Sequence, residues 1–282
     1  MVAKLRLFTS MWSSGSNGPM KFIHITDLHL APPGELLWGL SPYDRLDACL
    51  ADLAAHHGDA SFCAITGDLA ERGEIAAYEA LKRRLSAFPI DTHLMLGNHD
   101  DRENFHAVFG GGGFVQSAIT REAQHFLFLD TLKGPPSSAG LYDGPRRAWL
   151  TGELEKANGA PVYIFMHHPP FDIGHALMDR IKLDDAEAFA GLLSGHDIRH
   201  IFFGHAHRTM SGQWRGMPFS ALPSLNHQLP LAGGSVPTVY SDEPPMYSVV
   251  LIEGDRTIVH SDAFLHRARA QMPDDAERGN WF

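Results

Sequence analysis

Cysteine is almost absent: Cys49 and Cys63 are the only two in 282 residues, and neither belongs to a CxxC pair. Both read as reduced core residues of a cytoplasmic protein. Long apolar runs are missing as well. No stretch approaches the roughly 20 residues a membrane span requires, so no membrane partner is expected. The first twenty residues, ending Ser-Ser-Gly-Ser-Asn-Gly-Pro-Met, have no apolar core of a secretory signal. Residues 1–20 read as a flexible tail, with Met20 a candidate start. Positive charge is in deficit, 23 Lys and Arg against 33 Asp and Glu, for a net charge of −10. That balance argues against a nucleic-acid polymer as partner. It leaves room for a small phosphate ligand, because a bound metal reverses the local field.

What is abundant is histidine, with 18 residues, several of them where short apolar runs stop. The pattern alternates strand and helix. Strands are expected at 21–25, 61–65, 92–96, 162–166 and 198–203, and helices at 42–57, 74–87, from Pro145, and at 183–193. Residues 114–117 and 125–130 resemble an antiparallel pair after the four glycines at 110–113. From Met210 to His260 the chain reads as short strands among Pro/Gly-rich loops, and from Arg267 as a polar tail (267–282). Alternating elements imply a sheet-centred α/β core.

The organising stretch is Gly97-Asn98-His99-Asp100, after the apolar run 92–96. It reads as a buried strand ending in a turn that displays an amide oxygen, an imidazole and a carboxylate. In open α/β sheets, ligands bind beyond the carboxyl ends of the strands. Four other strands end in the same way, in Asp27/His29, Asp68, His167 and His205/His207. Alternation along an extended chain would put Asp27 and His29, or His205 and His207, on one side. Carboxylate, amide oxygen and imidazole together suit Mn, Fe, Zn or Co rather than a thiolate-selective metal. Seven ligands exceed one coordination set, and one carboxylate bridging two metals accounts for them.

The ordered blocks D-x-H, G-D, G-N-H-D, H-x-P and G-H-x-H, spread over positions 27 to 207, resemble the calcineurin-like metallophosphoesterases. Gly-Asn-His-Asp-Asp-Arg (97–102) and Met-His-His-Pro-Pro (166–170) are similar to the class III cyclic nucleotide phosphodiesterases and the related bacterial glycerophosphodiesterases. The resemblance implies a four-layer α-β-β-α sandwich over 21–266, with a small loop-rich C-terminal cap at about 226–247. It implies two divalent metal ions per chain: one held by Asp27, His29 and His207, the other by Asn98, His167 and His205, with Asp68 bridging. His99 would be the catalytic histidine outside the ligand set. The implied reaction is hydrolysis of a small phosphodiester, a 3′,5′-cyclic nucleotide or a glycerophosphodiester, by a hydroxide generated at the metals. A homodimer or larger assembly is implied too, and the apolar Leu229, Leu231, Val236, Val239 and Tyr240 fit a surface buried by another subunit.

Blander readings stand beside these. Asp27, Asp68 and Asn98 are also common helix N-caps. His168 is either a substrate contact or a packed neighbour, and Arg102 either a phosphate contact or a solvated helix-start residue. His24 and His93 read as core residues or as residues that support the ligands from behind, and His227 as a loop residue rather than a substrate contact. Substrate choice is expected to rest on the loops 31–44, 110–114 and 171–180. Alternatives on the same scaffold are a phosphomonoesterase or protein phosphatase, and a metal-binding scaffold without catalysis.

Overall fold

A computed structural model describes residues 18–231 and 239–265. The expected tail at 267–282 and most of that at 1–20 lie outside them. Met20 itself is buried and opens β1 (Met20–Ile25), so the fold begins one residue before the expected strand. Five strands make the first sheet, in the order β11 (Arg256–Ala263), β10 (Met246–Glu253), β1, β2 (Cys63–Thr66) and β3 (Thr92–Met95). Six make the second: β4 (Ser117–Arg121), β5 (Gln124–Phe128), β6 (Val162–Met166), β7 (Ile198–Phe203), β9 (Met217–Ala221) and β8 (Met210–Trp214).

The inner strands of both sheets are buried on both faces, and period-two alternation decides which side chain goes where. In β1, Phe22 packs between the sheets while Ile23 and Ile25 face outward. In β6, Phe165 points between them and Ile164 and Met166 point out. The layer between the sheets is aromatic. Phe22 stacks on Phe62 at 4.8 Å and Phe165 on Phe202 at 4.9 Å. Each such ring contributes roughly 1.5–3 kcal/mol by leaving water.

Helices α1 (Pro42–His57), α2 (Ile75–Leu85) and α3 (Arg102–Phe109) cover the first sheet through Leu46, Leu50, Leu53, Tyr78, Leu81 and Phe105. Helices α4 (Gly144–Ala157) and α5 (Ala186–Leu193) cover the second through Leu150, Leu154, Phe189 and Leu193. The result is a mixed α/β fold in four layers, two sheets flanked by helices.

Several boundaries differ from the sequence reading, each for a local reason. The strand expected at 114–117 runs instead over 117–121, because the Val115 amide is drawn 2.8 Å from the Asp130 carboxylate. The helix expected from 183 starts at 186, since the amides of Leu183 and Asp184 already bond the carbonyls of Pro169 and Gly140. The region expected to hold only short strands contains the two eight-residue strands β10 and β11. Strand β10 pairs antiparallel with β1 over Met20–His24.

Strands β1, β2 and β3 run parallel, as do β5, β6, β7 and β9. Their carboxyl ends lie along one rim, where the two sheets are tied together. His167 Nδ1 donates to the Thr66 carbonyl at 2.7 Å, and the Leu225 amide donates to that of Thr26 at 3.1 Å.

Candidate metal centre

All seven sequence-derived ligands reach this rim, but not by the expected route. Strand β1 stops at Ile25, and the backbone beyond it is not extended. Asp27 (φ 54°), His29 (47°), Asp68 (48°), His205 (65°) and His207 (49°) are all left-handed. Non-glycine residues adopt that region rarely, and strain of this kind gathers where surrounding structure holds a site in place. None of Asp27, Asp68 and Asn98 caps a helix: the side chains that do, before α1, α3 and α4, are Ser41, Asp101 and Asp143.

Two glycines make the close approach possible. A Cβ on Gly67 (φ 98°) would sit 2.5 Å from His167 Nδ1, and one on Gly97 would overlap the Asp68 carboxylate. Asp100 does not face the site as the sequence suggested. It turns inward and accepts from the amides of Leu69, Ala70 and Gly97 and from Tyr78 Oη, bracing the turns after β2 and β3.

The distances divide the ligands into two groups sharing one carboxylate. Asp27 Oδ1 lies 3.4 Å from His207 Nε2, whose neighbour at 3.0 Å is His29 Nε2. His167 Nε2 lies 3.2 Å from both Asn98 Oδ1 and His205 Nδ1. Asp68 Oδ2 stands between the groups, 3.6 Å from His29 Nε2 and 3.4 Å from His167 Nε2.

Proton bookkeeping on the imidazoles tests whether such a set fits a cation. The Nδ1 atoms of His29, His207 and His167 face Glu71 Oε2 (2.7 Å), the His227 carbonyl (2.8 Å) and the Thr66 carbonyl (2.7 Å). Those partners accept, so Nδ1 carries the proton and a neutral ring presents its Nε2 lone pair. His205 is reversed: its Nε2 donates to the Ile181 carbonyl at 3.0 Å, which leaves Nδ1 the free lone pair. Within each group, lone pairs therefore point at one another and at carboxylate oxygens. That arrangement is repulsive without a positive charge against them. Second-sphere acceptors on the remote nitrogens are also how metal-binding histidines are oriented.

The electrostatics agree. Burial lowers the pKa of His29 and of His205, keeping both neutral. Burial opposes charge on His167 too, yet Asp68 overrides it and pushes that pKa up to about 9. The spot demands positive charge, which either a proton or a divalent cation satisfies. The residues fit a divalent-cation site.

His99 lies beside the seven expected ligand residues and also clusters with His29 and Glu71. Its amide donates to Asp68 Oδ1 at 2.9 Å, and its Nδ1 donates to the Glu71 carbonyl at 2.8 Å. The remaining nitrogen, Nε2, belongs to a side chain that lines the open pocket. Burial disfavours its charge, but Asp68 and Glu71 outweigh burial and raise the pKa.

Other residues fall out differently. Both His168 nitrogens are engaged, by Thr131 Oγ1 at 2.8 Å and by the Ser138 carbonyl at 3.2 Å, so it is a packed neighbour despite lying beside His167 and His205. Arg102 forms a bidentate pair with Asp130 at 2.9 and 3.0 Å, so its guanidinium is held by a buried carboxylate while the side chain stays partly exposed. His24 and His93 pack between the sheets, as expected, against Phe202 and Phe128. His227, read as a plain loop residue, lines the pocket with its ring 4.7 Å from that of His207. Glu71 was not singled out in the sequence. It sits two residues past Asp-Leu of the second block, a position that nothing but proximity to a ligand marks.

A family model, the calcineurin-like phosphoesterases, matches residues 20–209, and the chain belongs to that family. It is 39% identical over 258 residues, 88% of its length and 93% of the relative's, to a probable cyclic nucleotide phosphodiesterase of Rhodopseudomonas palustris. It is 26% identical to the glycerophosphodiester phosphodiesterase GpdQ of Enterobacter lignolyticus over 91% of this chain and 95% of that one. A dimetal phosphatase from Danio rerio shares the fold, with a TM-score of 0.69 at 15% identity, covering 88% of this chain and 97% of that one.

Proposed function

We propose that the chain is a phosphoric diester hydrolase using two divalent metal ions (Mn, Fe, Zn or Co) to cleave small phosphodiesters. Cyclic nucleotides such as cAMP come first among its substrates, and glycerophosphodiesters second. The observation that carries the reading is the Asp68 carboxylate, set between two groups of converging lone pairs. One carboxylate so placed could be shared by two cations, which would supply the Lewis acidity that displacement at phosphorus uses. Relatives named as cyclic nucleotide phosphodiesterases support the substrate class.

Bound there, the cations supply Lewis acidity and lower the pKa of water. The chain's own part is to hold them and to manage a proton. In the proposed assignment Asp27, His29 and His207 hold one ion, Asn98, His167 and His205 the other, and Asp68 both. Glu71 orients His29 through Nδ1. His99, with Nδ1–H committed to the Glu71 carbonyl and its charged form favoured by Asp68 and Glu71, would as the imidazolium offer Nε2–H to the departing alkoxide as general acid, becoming neutral, or to a phosphoryl oxygen as a charge stabiliser. The proposed unit is 21–266, placed in the cytoplasm and assembled as a homodimer or larger through the 226–247 segment. Leu231 and Val239 of that segment are 74% and 53% exposed, and Val236 lies outside the described residues.

The test is turnover of bis-p-nitrophenyl phosphate, cAMP, glycerophosphocholine and p-nitrophenyl phosphate with added Mn²⁺, beside metal analysis of the active protein. Diester turnover, two metals per chain and reversible loss with chelator are expected. Turnover of the monoester alone, or one metal with no activating second ion, would refute the reading. Light scattering at micromolar concentration should give a multiple of 31.1 kDa, and a monomer would refute the assembly.

A further inference from the structure

Loop 36–40 carries a strained aromatic residue that neither the core nor the metal centre explains. Leu37 and Leu40 bond each other's backbones at 2.9 and 3.0 Å, so Trp38 and Gly39 are the corner of a two-residue hairpin turn. Both corner residues are left-handed, at φ 54° and 78°. That turn favours Asn, Asp or Gly at its corner, and a bulky residue there is an outlier. Trp38 is nonetheless held there, 59% exposed.

The ring lies against two residues that line the site. Its centroid is 4.4 Å from that of Tyr240 and 6.2 Å from that of His227. Tyr240 and His227 both line the pocket that holds His29, Asp68, Asn98, His99, His205 and His207. His227 in turn lies 4.8 Å, ring to ring, from His29. One imidazole thus separates the indole from the metal centre, as one ribose separates a nucleobase from its phosphate.

We propose that Trp38, backed by Tyr240, is the platform on which the nucleobase of a cyclic nucleotide stacks while its phosphate lies at the metal centre. The inference rests on the phosphodiesterase reading above and names what selects among diesters. Trp38 and Tyr240 touch each other, so nothing inserts between them; the exposed indole face is the surface on offer. A flat face suits a planar base. A quaternary ammonium such as choline is instead held by rings on several sides, which this pair does not provide.

The left-handed position supplies a variant that removes the ring without disturbing the turn: Trp38→Asn. With metal-loaded protein, kcat/KM for cAMP should fall roughly 10- to 100-fold, the size of a lost base–aromatic stack. Glycerophosphoglycerol, which has neither ring nor cation, should be cleaved as before, and Trp38→Phe should recover most of the loss. Independently of turnover, 5′-AMP and not inorganic phosphate should quench the tryptophan fluorescence of the wild type, and Trp38→Asn should lose that response. Unchanged cAMP kinetics in Trp38→Asn, with an active wild type, would overturn the platform alone. So would a loss confined to glycerophosphocholine, which would assign the ring to a choline group, or dissociation of the assembly with cAMP kinetics intact. A wild type that cleaves no diester would remove the phosphodiesterase reading and the platform with it.

Discussion

At the scale of single residues, the proposed assignment separates holding metal from moving a proton. His99 addresses the pocket through Nε2 while Asn98, one residue earlier, turns its oxygen to His167. His99→Ala should therefore retain both metals and leave KM little changed, while kcat falls roughly 10²–10⁴-fold. The loss should be smaller for a p-nitrophenolate leaving group than for an alkoxide, because the former departs without protonation. Metal loss in His99→Ala would overturn the assignment. Asn98→Ala should instead weaken one metal and be partly rescued by excess Mn²⁺. Gly97→Ala should behave like neither: its Cβ would overlap Asp68, so metal content and kcat should fall together, beyond rescue by Mn²⁺. That the seven expected ligands converge was legible in the sequence because five motif blocks each follow a strand. Their geometry was not, since alternation in extended chain predicts side-sharing at Asp27 and His29 and the structure achieves it by left-handed backbone. His227 and Glu71 were obscure because proximity through a distant loop or a second-sphere bond leaves no local pattern.

Among the elements, the strands and helices that feed the rim were legible from hydrophobic period and from turn residues, and their ends were shifted by hydrogen bonds to distant groups. Strand β10 shows the limit: Met246–Glu253 is apolar enough to be a strand, yet its place beside β1 depends on pairing across more than two hundred residues. Arg102 shows another. Helix starts invite both solvent and phosphate, and only the fold reveals that Asp130, fully buried at the end of β5, receives Arg102 and also lies 3.6 Å from Arg146. This ion group fastens α3 and α4 to the second sheet. Removing one arginine leaves the other, so Arg102→Ala should cost about 1–3 kcal/mol in chemical denaturation. Its KM for cAMP should stay unchanged, and a raised KM would restore the phosphate-contact reading. Asp130→Ala takes the carboxylate from Arg102 and leaves Arg146 with Asp143 alone, so it should cost more, roughly 3–5 kcal/mol.

For the molecule as a whole, the buried layer between the sheets makes stability depend on pH through two histidines outside the proposed ligand set. His24, wholly buried between the sheets, has its pKa lowered to about 3 by burial and by His200; burial alone lowers His200 to about 4. Their polar contacts are hydroxyls, Thr66 Oγ1 at 2.8 Å and Ser220 Oγ at 2.9 Å, which give a charged ring no counter-ion. Unfolded, both rings titrate near 6.5. Below that value the unfolded chain binds protons that the folded chain refuses, so stability falls as pH drops from 6.5 towards the folded values. Above 6.5 the two groups contribute no slope. At about 1.4 kcal/mol per unit and per group, each costs roughly 2 kcal/mol by pH 5. The check is the urea midpoint of EDTA-treated protein at pH 7, 6 and 5, for wild type and His200→Gln. Chelator removes competition between protons and metal from the comparison, and glutamine keeps a polar partner for Ser220 without a titrating ring. The variant should lose less stability than the wild type on acidification, and the difference should vanish above pH 7. Parallel curves for the two proteins would mean that His200 does not resist protonation in the fold, and the burial account of this layer would fail.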